Sequence, residues 1–187
     1  MLPIIRYHNY SCGLLEETDI PAFIHFTERR VEEEVSLFAL TGYKAERYRE
    51  LHLSGNNSVT VSPGYPRFCI YHDNQIVGIT AITVTGKDDD PNYEFTGSKI
   101  LPSYRGEHLS RILYDARIRF LLTETDASYA TTRVNEENPA SNKAALRNGF
   151  KFYTRSTDPL AGTYIEYNLD LSELRNEFSD ELGLELQ

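Results

Sequence analysis

The chain contains 187 residues, the length of one ordinary domain and too short for two full enzymatic domains. Its 28 acidic and 19 basic residues leave a net charge of −9, which argues against general nucleic-acid binding because such binding rests on many basic contacts with phosphates. Cys12 and Cys69 form neither a disulfide framework nor a cysteine zinc site, and no apolar stretch approaches the roughly 18 residues that span a membrane. We therefore expect a soluble cytoplasmic protein without a metal site.

The N-terminal third of the sequence is typical of a strand followed by two helices. Thr18-Asp19 and Pro21 form a helix-start pattern, since Thr and Asp favour the N-cap and proline favours the first turn. Gly42 predicts the end of that helix. The expected elements are a strand at 3–10, a helix from Pro21 to about residue 40 and a helix at 44–53. We interpret the acidic run at 32–34 as a solvated helix face.

From residue 67 the hydrophobic spacing changes to that of strands. The segments RFCIYHDN and QIVGITAITVT predict a hairpin that turns at Asp73-Asn74, and YEFTGSKIL predicts a third antiparallel strand. The three aspartates at 88–90 fit a solvated hairpin tip better than a metal loop, which needs spaced ligands and a glycine turn. The later expected elements are a helix from Arg105, a strand at 128–134, a short helix between Asn138 and Gly149, and a hairpin of 150–157 with 162–171.

This alternation of strands and helices predicts one α/β domain without internal repeats. We expect the domain to occupy residues 1–170, with residues 171–187 as an acidic C-terminal tail. A helix in this tail would dock through its apolar residues Leu174 and Phe178.

The segment with the clearest chemistry joins the YEFTGSKIL strand to the next helix. It reads Tyr104-Arg105-Gly106-Glu107-His108-Leu109-Ser110. A helix N-terminus presents unpaired N–H groups and the positive end of the helix dipole, so it can hold a pyrophosphate, and Arg105 and Arg111 would add positive charge. The alternative is an ordinary strand-to-helix turn with surface arginines. The sequence lacks the GxGxxG, GxxxxGK, HExxH and GxSxG motifs of other reaction classes.

Two segments within residues 67–170 resemble the GNAT acetyltransferase superfamily. ILPSYRGEHLSRILYDAR is similar to the family's acetyl-CoA loop, written V-x-P-x-Y-R-G-x-G-x-G or A, and NPASNKAALRNGF is similar to its later block that ends in Gly-Phe. The resemblance implies a single domain with a central mixed, mostly antiparallel sheet flanked by helices. It also implies an N-acetyltransferase that transfers acetyl from acetyl-CoA to an amine by direct attack on the thioester.

The resemblance further implies which residues bind coenzyme A. The first segment would contact the pantetheine arm and the pyrophosphate, largely through main-chain groups, and the later block would lie near the arm or its sulfur. These residues are Ile100, Leu101, Arg105, Gly106, Glu107, His108, Leu109, Ser110, Arg111, Asn138 and Ser141. Asn138 is equally explained as a helix cap before Pro139.

Three positions depart from the family pattern. His108 replaces the central loop glycine and Ser110 replaces the final glycine or alanine, so a Cβ would shift the pyrophosphate unless the φ of its residue stays negative. Ala145 stands where many members carry a tyrosine that protonates the departing thiolate. That role is vacant, moved to another residue or unnecessary, and Ser141 is a candidate for it.

Glu94 is the candidate general base. A lysine-like amine has a pKa near 10.4 and is mostly protonated at neutral pH, so a base must help to remove its proton. Glu94 lies six residues before Ile100, close to where some GNAT enzymes place a catalytic glutamate. The alternative is a surface glutamate on a strand. A bulge at Gly97 would change which residues share its face.

The leading hypothesis places the acceptor in a cleft formed by the N-terminal helices and the final hairpin. These elements offer acidic and aromatic side chains that suit a cationic amine: Tyr43, Glu46, Tyr48, Glu50, Tyr153, Tyr164 and Glu166. A small amine, a peptide N-terminus and a lysine side chain all fit, whereas charge disfavours an aminoacylated RNA. The second hypothesis is a coenzyme-binding module without catalysis, acting as a sensor or a partner subunit. A homodimer is compatible with both.

Overall fold

The computed structural model describes residues 5–56, 59–62, 64–87, 90–159 and 162–177. The strands are β1 (Ile5–Tyr7), β2 (Tyr10–Leu14), β3 (Arg67–His72), β4 (Gln75–Lys87), β5 (Asp90–Ile100), β6 (Tyr129–Asn135), β7 (Lys151–Asp158) and β8 (Gly162–Asp170). The helices are α1 (Ile20–Leu37), α2 (Gly42–Leu53), α3 (Leu109–Glu124), α4 (Pro139–Arg147) and α5 (residues 171–177). None of these helices is long and apolar enough to cross a membrane.

The described strands form one mixed sheet in the order β1-β2-β3-β4-β5-β6-β8-β7. The ladders of β1 with β2, β2 with β3, β3 with β4, β6 with β8 and β7 with β8 are antiparallel, whereas β5 and β6 are parallel. Parallel neighbours need a crossover connection, and α3 lies in the crossover between β5 and β6. The predicted α/β class with a mixed, mostly antiparallel sheet is confirmed.

The predicted single strand at 3–10 is wrong. In the described part of this segment β1 ends at Tyr7 and β2 begins at Tyr10, and these two residues are antiparallel partners. His8 between them has a φ of 52°, a left-handed conformation typical of tight hairpin turns. The available sequence signal is Asn9, because asparagine is a common turn residue.

Two helix boundaries also differ from the prediction. Gly42, expected to end the first helix, has a φ of 51° and begins α2, while α1 ends earlier at Leu37. Helix α3 begins at Leu109 rather than at Arg105, because a 3₁₀ turn and two left-handed residues occupy the loop before it. The three aspartates at 88–90 are described only from Asp90, the first residue of β5.

The described residues fall into two compact units, of which the first contains Met1–Ala81 and Gly97–Ala116. Its buried apolar residues come from α1, the strands and the start of α3, and include Phe26, Val31, Phe68, Ile70, Val77, Leu101, Leu109 and Leu113. Helix α2 packs on α1 through Val35, Ala45 and Leu53. Arg30 and Glu34 follow Phe26 by four and eight residues, so the same buried face of α1 carries all three.

The second unit contains Ile82–Thr96 and Arg117–Gln187, described as far as residue 177. Its buried apolar residues include Ile82, Phe95, Leu121, Ala130, Phe150 and Leu171. Phe95 packs edge-to-face on Phe150 with ring centroids 5.4 Å apart, and the buried guanidinium of Arg117 lies 4.2 Å from the Phe95 ring centroid. This packing fixes the part of β5 that carries Glu94.

The beginning of the acidic tail forms helix α5, which packs within the second unit. Leu171 is fully buried, and Arg175 donates hydrogen bonds to the carbonyl groups of Leu121 and Thr125. Leu174 is half-buried, while Phe178 lies outside the described residues. The domain boundary at residue 170 stays a prediction.

We predict that Phe26→Ala lowers the free energy of unfolding by about 3–5 kcal/mol, because the ring is 1% exposed and its removal leaves a cavity. Leu37→Ala is the matched control, since Leu37 ends the same helix and is 57% exposed, and it should change stability by about 0.5 kcal/mol or less. Urea unfolding followed by circular dichroism measures both. Equal losses would contradict the buried face assigned to α1.

Candidate active site

The β5–α3 loop, residues 102–108, has a backbone that few residue types adopt. Gly106 has a φ of 94° and His108 has a φ of 58°. A Cβ at Gly106 would meet no described atom within 4 Å, so the backbone conformation, not crowding, favours glycine there. His108 keeps the left-handed backbone of a glycine although it carries a side chain, and histidine is one of the few residues enriched in this region. The negative φ that the sequence analysis required does not occur at His108, whereas Ser110 is not among the residues with a positive φ.

The main-chain amides after Arg105 lack hydrogen-bond acceptors among the described residues. Within the described chain, the amides of Tyr104 and Arg105 close the 3₁₀ turn, and the amide of Arg111 donates to the His108 carbonyl at 3.0 Å. The amides of residues 106–110 donate to no described group. Unpaired amides at a helix N-terminus add to the positive end of the helix dipole, so this stretch attracts negative charge.

Helix α1 holds the β5–α3 loop at Ser103. Glu33 accepts hydrogen bonds from the Ser103 amide at 2.9 Å and from its hydroxyl at 3.0 Å. Arg29 donates to Glu33 at 2.8 Å and to the Ser103 hydroxyl at 3.3 Å. Burial alone would raise the pKa of Glu33, but the bonds from Ser103 and Arg29 together outweigh it and hold the pKa below its ordinary value of 4.5.

A second carboxylate of α1, Glu34, holds the same loop at Arg105. Glu34 is 6% exposed and accepts from Arg105 Nη2 at 2.8 Å, from the Tyr48 hydroxyl at 2.9 Å and from Arg30. Arg30 is buried as well. One buried carboxylate therefore joins α1, α2 and the loop.

The prediction that the acidic run at 32–34 forms a solvated face is wrong for two of its three glutamates. Glu32 is exposed and pairs with Arg49 at 2.7 Å. The other two bind the β5–α3 loop. The available sequence signal is the arginine pair at 29–30, because each arginine stands four residues before one of these glutamates and such pairs share a helix face.

Positive charge dominates the surroundings of Glu34. Desolvation and the charge of Arg30 lower the pKa of Lys99, the residue before Ile100 on β5. Burial and the same arginine lower the pKa of His52 on α2. Burial is the larger cause of both shifts and Arg30 adds to it, so the charge of Arg30 acts on Lys99 and on His52 as well as on Glu34.

Strand β3 supports the loop from another side. The Tyr104 hydroxyl lies 3.4 Å from Nδ1 of His72, and the two ring centroids are 5.5 Å apart. Tyr10 of β2 stacks near the same histidine, with ring centroids 4.9 Å apart. The loop is therefore fixed at three consecutive residues, Ser103, Tyr104 and Arg105.

The end of β5 leads into this loop through Ile100 and Leu101. Leu101 is fully buried, its amide donates to the Val77 carbonyl at 3.0 Å, and its own carbonyl accepts from Tyr104 at 2.9 Å. Both main-chain groups of Leu101 are therefore hydrogen-bonded within the protein. Gly97 has a φ of 63°, which interrupts the extended conformation after Thr96. This is the position at which the sequence analysis considered a β-bulge.

A cavity of about 410 Å³ lies in the second unit. Its lining residues are polar or aromatic and come from β5, β6, β7 and β8: Asn92, Glu94, Tyr129, Thr131, Thr132, Arg133, Tyr153, Glu166 and Asn168. Glu94 pairs with Thr131 in the parallel ladder, and the neighbouring Phe95 is buried on the opposite face of the strand. The half-buried Glu94 therefore lies in the wall of a polar cavity.

The charge in this cavity is mostly negative. Glu166 is the second carboxylate in the lining and accepts a hydrogen bond from the Ser156 hydroxyl at 2.9 Å. Arg133 is the one cation among the lining residues, and its guanidinium lies 5.0 Å from the ring centroid of Tyr164. Two carboxylates against one guanidinium favour a cationic ligand.

The later block of the sequence forms the start of α4. Asn138 Oδ1 accepts from the Ser141 amide at 3.1 Å, so Asn138 caps the helix. The Ser141 hydroxyl is half-buried and has no hydrogen-bond partner among the described residues. Ala145 is fully buried, so the position that many family members give to tyrosine belongs to the core.

Sequence reasoning missed a hydrogen-bonded pair in the second unit. The Tyr167 hydroxyl donates to Asn142 Oδ1 at 2.8 Å, and burial raises the pKa of Tyr167 above its ordinary value of 10.0. Asn142 in turn donates to the Asn135 carbonyl at 3.0 Å. These bonds fix the start of α4 against β6 and β8. No sequence pattern links positions so far apart.

We predict that His108→Gly is at least as stable as the wild type, because glycine adopts a positive φ without steric cost. His108→Val should lose about 1–2 kcal/mol, because a β-branched residue is strongly disfavoured in the left-handed region. Thermal unfolding of the two variants and the wild type measures the difference. A glycine variant less stable than the valine variant would contradict the left-handed assignment.

Glu33 should make the stability of the protein sensitive to acid. Its folded pKa lies below the unfolded value of about 4.5, so its contribution is present above that pH and is lost as the pH falls through the folded value. We predict that Glu33→Gln flattens the loss of stability below pH 4.5. Glu28→Gln, on an exposed residue of the same helix, is the control. If the free energy of unfolding falls equally below pH 4.5 in both variants, Glu33 does not have this role.

Comparison with solved structures shows similar folds at low identity. The spermidine N-acetyltransferase from Vibrio cholerae in complex with CoA and spermine is 16% identical with a TM-score of 0.60, covering 89% of this chain and 98% of that chain. The ribosomal-protein-S18-alanine N-acetyltransferase from Escherichia coli is 16% identical with a TM-score of 0.58, covering 87% and 94%. RimL, a ribosomal L7/L12 alpha-N-protein acetyltransferase in complex with coenzyme A, is 16% identical with a TM-score of 0.64, covering 90% and 97%.

No curated protein matches the sequence. The sequence profile of the acetyltransferase (GNAT) family, however, matches residues 28–150, which is more than half of the chain. This range contains the second half of α1, the β5–α3 loop, Glu94 and the later block that ends in Gly149-Phe150. The resemblance found in the sequence is confirmed, and the chain belongs to the acetyltransferase (GNAT) family.

Proposed function

We propose that this N-acetyltransferase binds the diphosphate of acetyl-CoA on the unpaired amides of residues 106–110 and acetylates a cationic amine held in the cavity of the second unit. Glu94 accepts the proton of the amine. The observation that carries the proposal is the run of five consecutive amides without a described acceptor at the start of α3. The family of the chain and the neighbours solved with coenzyme A support acetyl-CoA as the cosubstrate.

The donor end of the reaction uses main-chain groups and positive charge. Each unpaired amide can donate to a phosphate oxygen, and the dipole of α3 adds to the attraction. Arg105 shares one nitrogen with Glu34, and its side chain is 44% exposed, so further N–H groups of the guanidinium are accessible to a phosphate. Arg111, exposed in the first turn of α3, adds charge to the same stretch. His108 has a φ of 58°, a conformation that glycine adopts freely, at the position where the family loop carries glycine.

The acceptor end uses the cavity around Glu94. A protonated amine cannot attack, so Glu94 removes one proton directly or through water. The neutral nitrogen then forms a bond to the thioester carbonyl carbon and becomes positively charged. As the C–S bond breaks, this nitrogen loses its second proton to give the neutral amide, and coenzyme A leaves as a thiolate that takes up one proton in exchange. A main-chain N–H of β5 is the proposed donor to the carbonyl oxygen while it carries negative charge. Ser141 is the proposed hydrogen-bond donor to the thiolate, because the methyl side chain of Ala145 has no O–H or N–H group.

The same cavity supports a cationic acceptor. Glu94 and Glu166 attract an ammonium group, and the rings of Tyr129 and Tyr153 can pack against it through cation–π contacts. A neighbour of similar fold holds spermine, and another acts on a ribosomal-protein alanine. A small polyamine and a peptide N-terminus are accordingly the first acceptors to assay. The wider cleft predicted between the N-terminal helices and the final hairpin stays a prediction.

A coenzyme-binding module without catalysis is the second candidate function. The buried Ala145 favours it, because the tyrosine that many members use as an acid has no counterpart at this position. Purified protein incubated with acetyl-CoA and a panel of amines separates the two candidates. Release of free thiol that depends on the amine supports the enzyme, whereas coenzyme binding without release supports the module.

We predict that Glu94→Gln lowers turnover by about 100- to 10,000-fold, since that is the usual contribution of a general base. Coenzyme affinity, measured by calorimetry, should stay within about twofold, because Glu94 touches the acceptor and not the phosphates. Glu124→Gln, on an exposed glutamate at the end of α3, is the control and should leave both quantities unchanged. Unaltered turnover of Glu94→Gln across neutral pH would remove Glu94 from the mechanism.

A further inference from the structure

We propose that Glu34 is a positioning residue for acetyl-CoA binding, because it holds Arg105 and thereby sets the β5–α3 loop in its binding conformation. The inference rests on the proposed function only in that the loop binds the diphosphate. Glu34 itself is buried under the loop and touches neither the coenzyme nor the acceptor in this account. It acts through Arg105.

The contacts of Glu34 come from three separate elements. Oε1 accepts from Arg105 on the loop at 2.8 Å, while Oε2 accepts from Tyr48 on α2 at 2.9 Å and from Arg30 one turn earlier on α1. One carboxylate oxygen therefore binds the loop, and the other binds side chains of the two helices. Glu34 therefore links both helices to Arg105, while Glu33 links α1 to the loop separately at Ser103.

The side chains that bind Glu34 differ in solvent exposure. The side chains of Glu34 and Arg30 are 8% and 5% exposed, whereas that of Arg105 is 44% exposed. The guanidinium is therefore anchored at one nitrogen and open on its other side. Charge-assisted bonds of this kind are short and directional, so the anchor limits the positions that the Arg105 backbone and the following amides can take.

Electrostatics explain why a carboxylate is needed at this position. Arg30 and Arg105 both direct a guanidinium at Glu34, and Lys99 adds a third positive charge nearby. Without the negative charge the two arginines would repel each other, and Arg105 would move away from α1 toward solvent. The first amides of α3 would then lose their fixed orientation before a diphosphate arrives. A neutral glutamine keeps the shape but removes this attraction.

Replacement of Glu34 by glutamine is the direct test, with Glu32→Gln as the matched control. Glu32 lies on the same helix and pairs with Arg49 on α2, but it is exposed and does not touch the loop. We expect Glu34→Gln to raise the Kd of coenzyme A and the KM for acetyl-CoA by roughly 10- to 100-fold, the range for loss of one charged hydrogen bond. We expect kcat at saturating acetyl-CoA and the acceptor KM to stay unchanged. Glu32→Gln should behave as the wild type.

A double-mutant cycle shows whether Glu34 acts through Arg105. Arg105→Gln alone should weaken coenzyme binding, and the double variant Glu34→Gln/Arg105→Gln should bind no more weakly than Arg105→Gln. Fully additive losses would overturn the proposal. So would a folded Glu34→Gln with the wild-type Kd, or one that lowers kcat without changing the KM for acetyl-CoA.

Glu34→Asp keeps the test decisive if the glutamine variant does not fold. Aspartate retains the buried negative charge but is one methylene shorter, so it cannot hold Arg105 and Tyr48 at the observed distances together. A folded Glu34→Asp with raised Kd supports the proposal, and one with unchanged Kd overturns it. If the wild type itself gives no binding heat with coenzyme A, the proposed function fails instead, so the two failures are distinguishable.

Discussion

The β5–α3 loop must keep several main-chain amides unpaired and still hold one conformation. These demands conflict, because amides are usually fixed by the hydrogen bonds that they donate. In the first unit, contacts with α1 and β3 instead fix the three residues that precede the unpaired amides. Ser103, Tyr104 and Arg105 are each held by side chains of α1 or β3, so residues 106–110 remain oriented without donating to described groups.

The three acidic residues at 32–34 of α1 therefore have different structural roles. Glu32 forms an exposed ion pair with Arg49, and such pairs contribute little to stability. Glu33 and Glu34 instead bind the loop, and burial makes their loss more costly than that of a surface pair. In a protein of net charge −9, the two acids nearest the loop are thus both engaged with arginines, Glu33 with Arg29 and Glu34 with Arg30 and Arg105.

Much of the fold follows from local patterns in the sequence. The period-two strands after residue 67, the apolar stripe of α3 and the Asn138-Pro139 start of α4 all appear where the pattern places them. The first family block also locates the β5–α3 loop, and Glu94, six residues before that block, lies in a polar cavity, while its catalytic role stays a prediction. These features depend on residues close together in the chain, so a single sequence carries them.

The parts that the sequence does not reveal depend on distant contacts. The acidic run at 32–34 has the composition of a solvated face, and only the fold brings Ser103 and Arg105 to it from about 70 positions away. The positive φ of His108 does not follow from the residue type alone, because most histidines have a negative φ even though histidine is enriched in the left-handed region. The strand at 3–10 failed for a local reason instead, since one left-handed histidine divides it into a hairpin.

A crystal structure of the protein with coenzyme A bound tests the central claim most directly. The account predicts diphosphate oxygens within about 3.2 Å of amides among residues 106–110, with Arg105 still bonded to Glu34. A coenzyme whose diphosphate lies elsewhere, while those amides face the loop's own side chains or solvent, would contradict it.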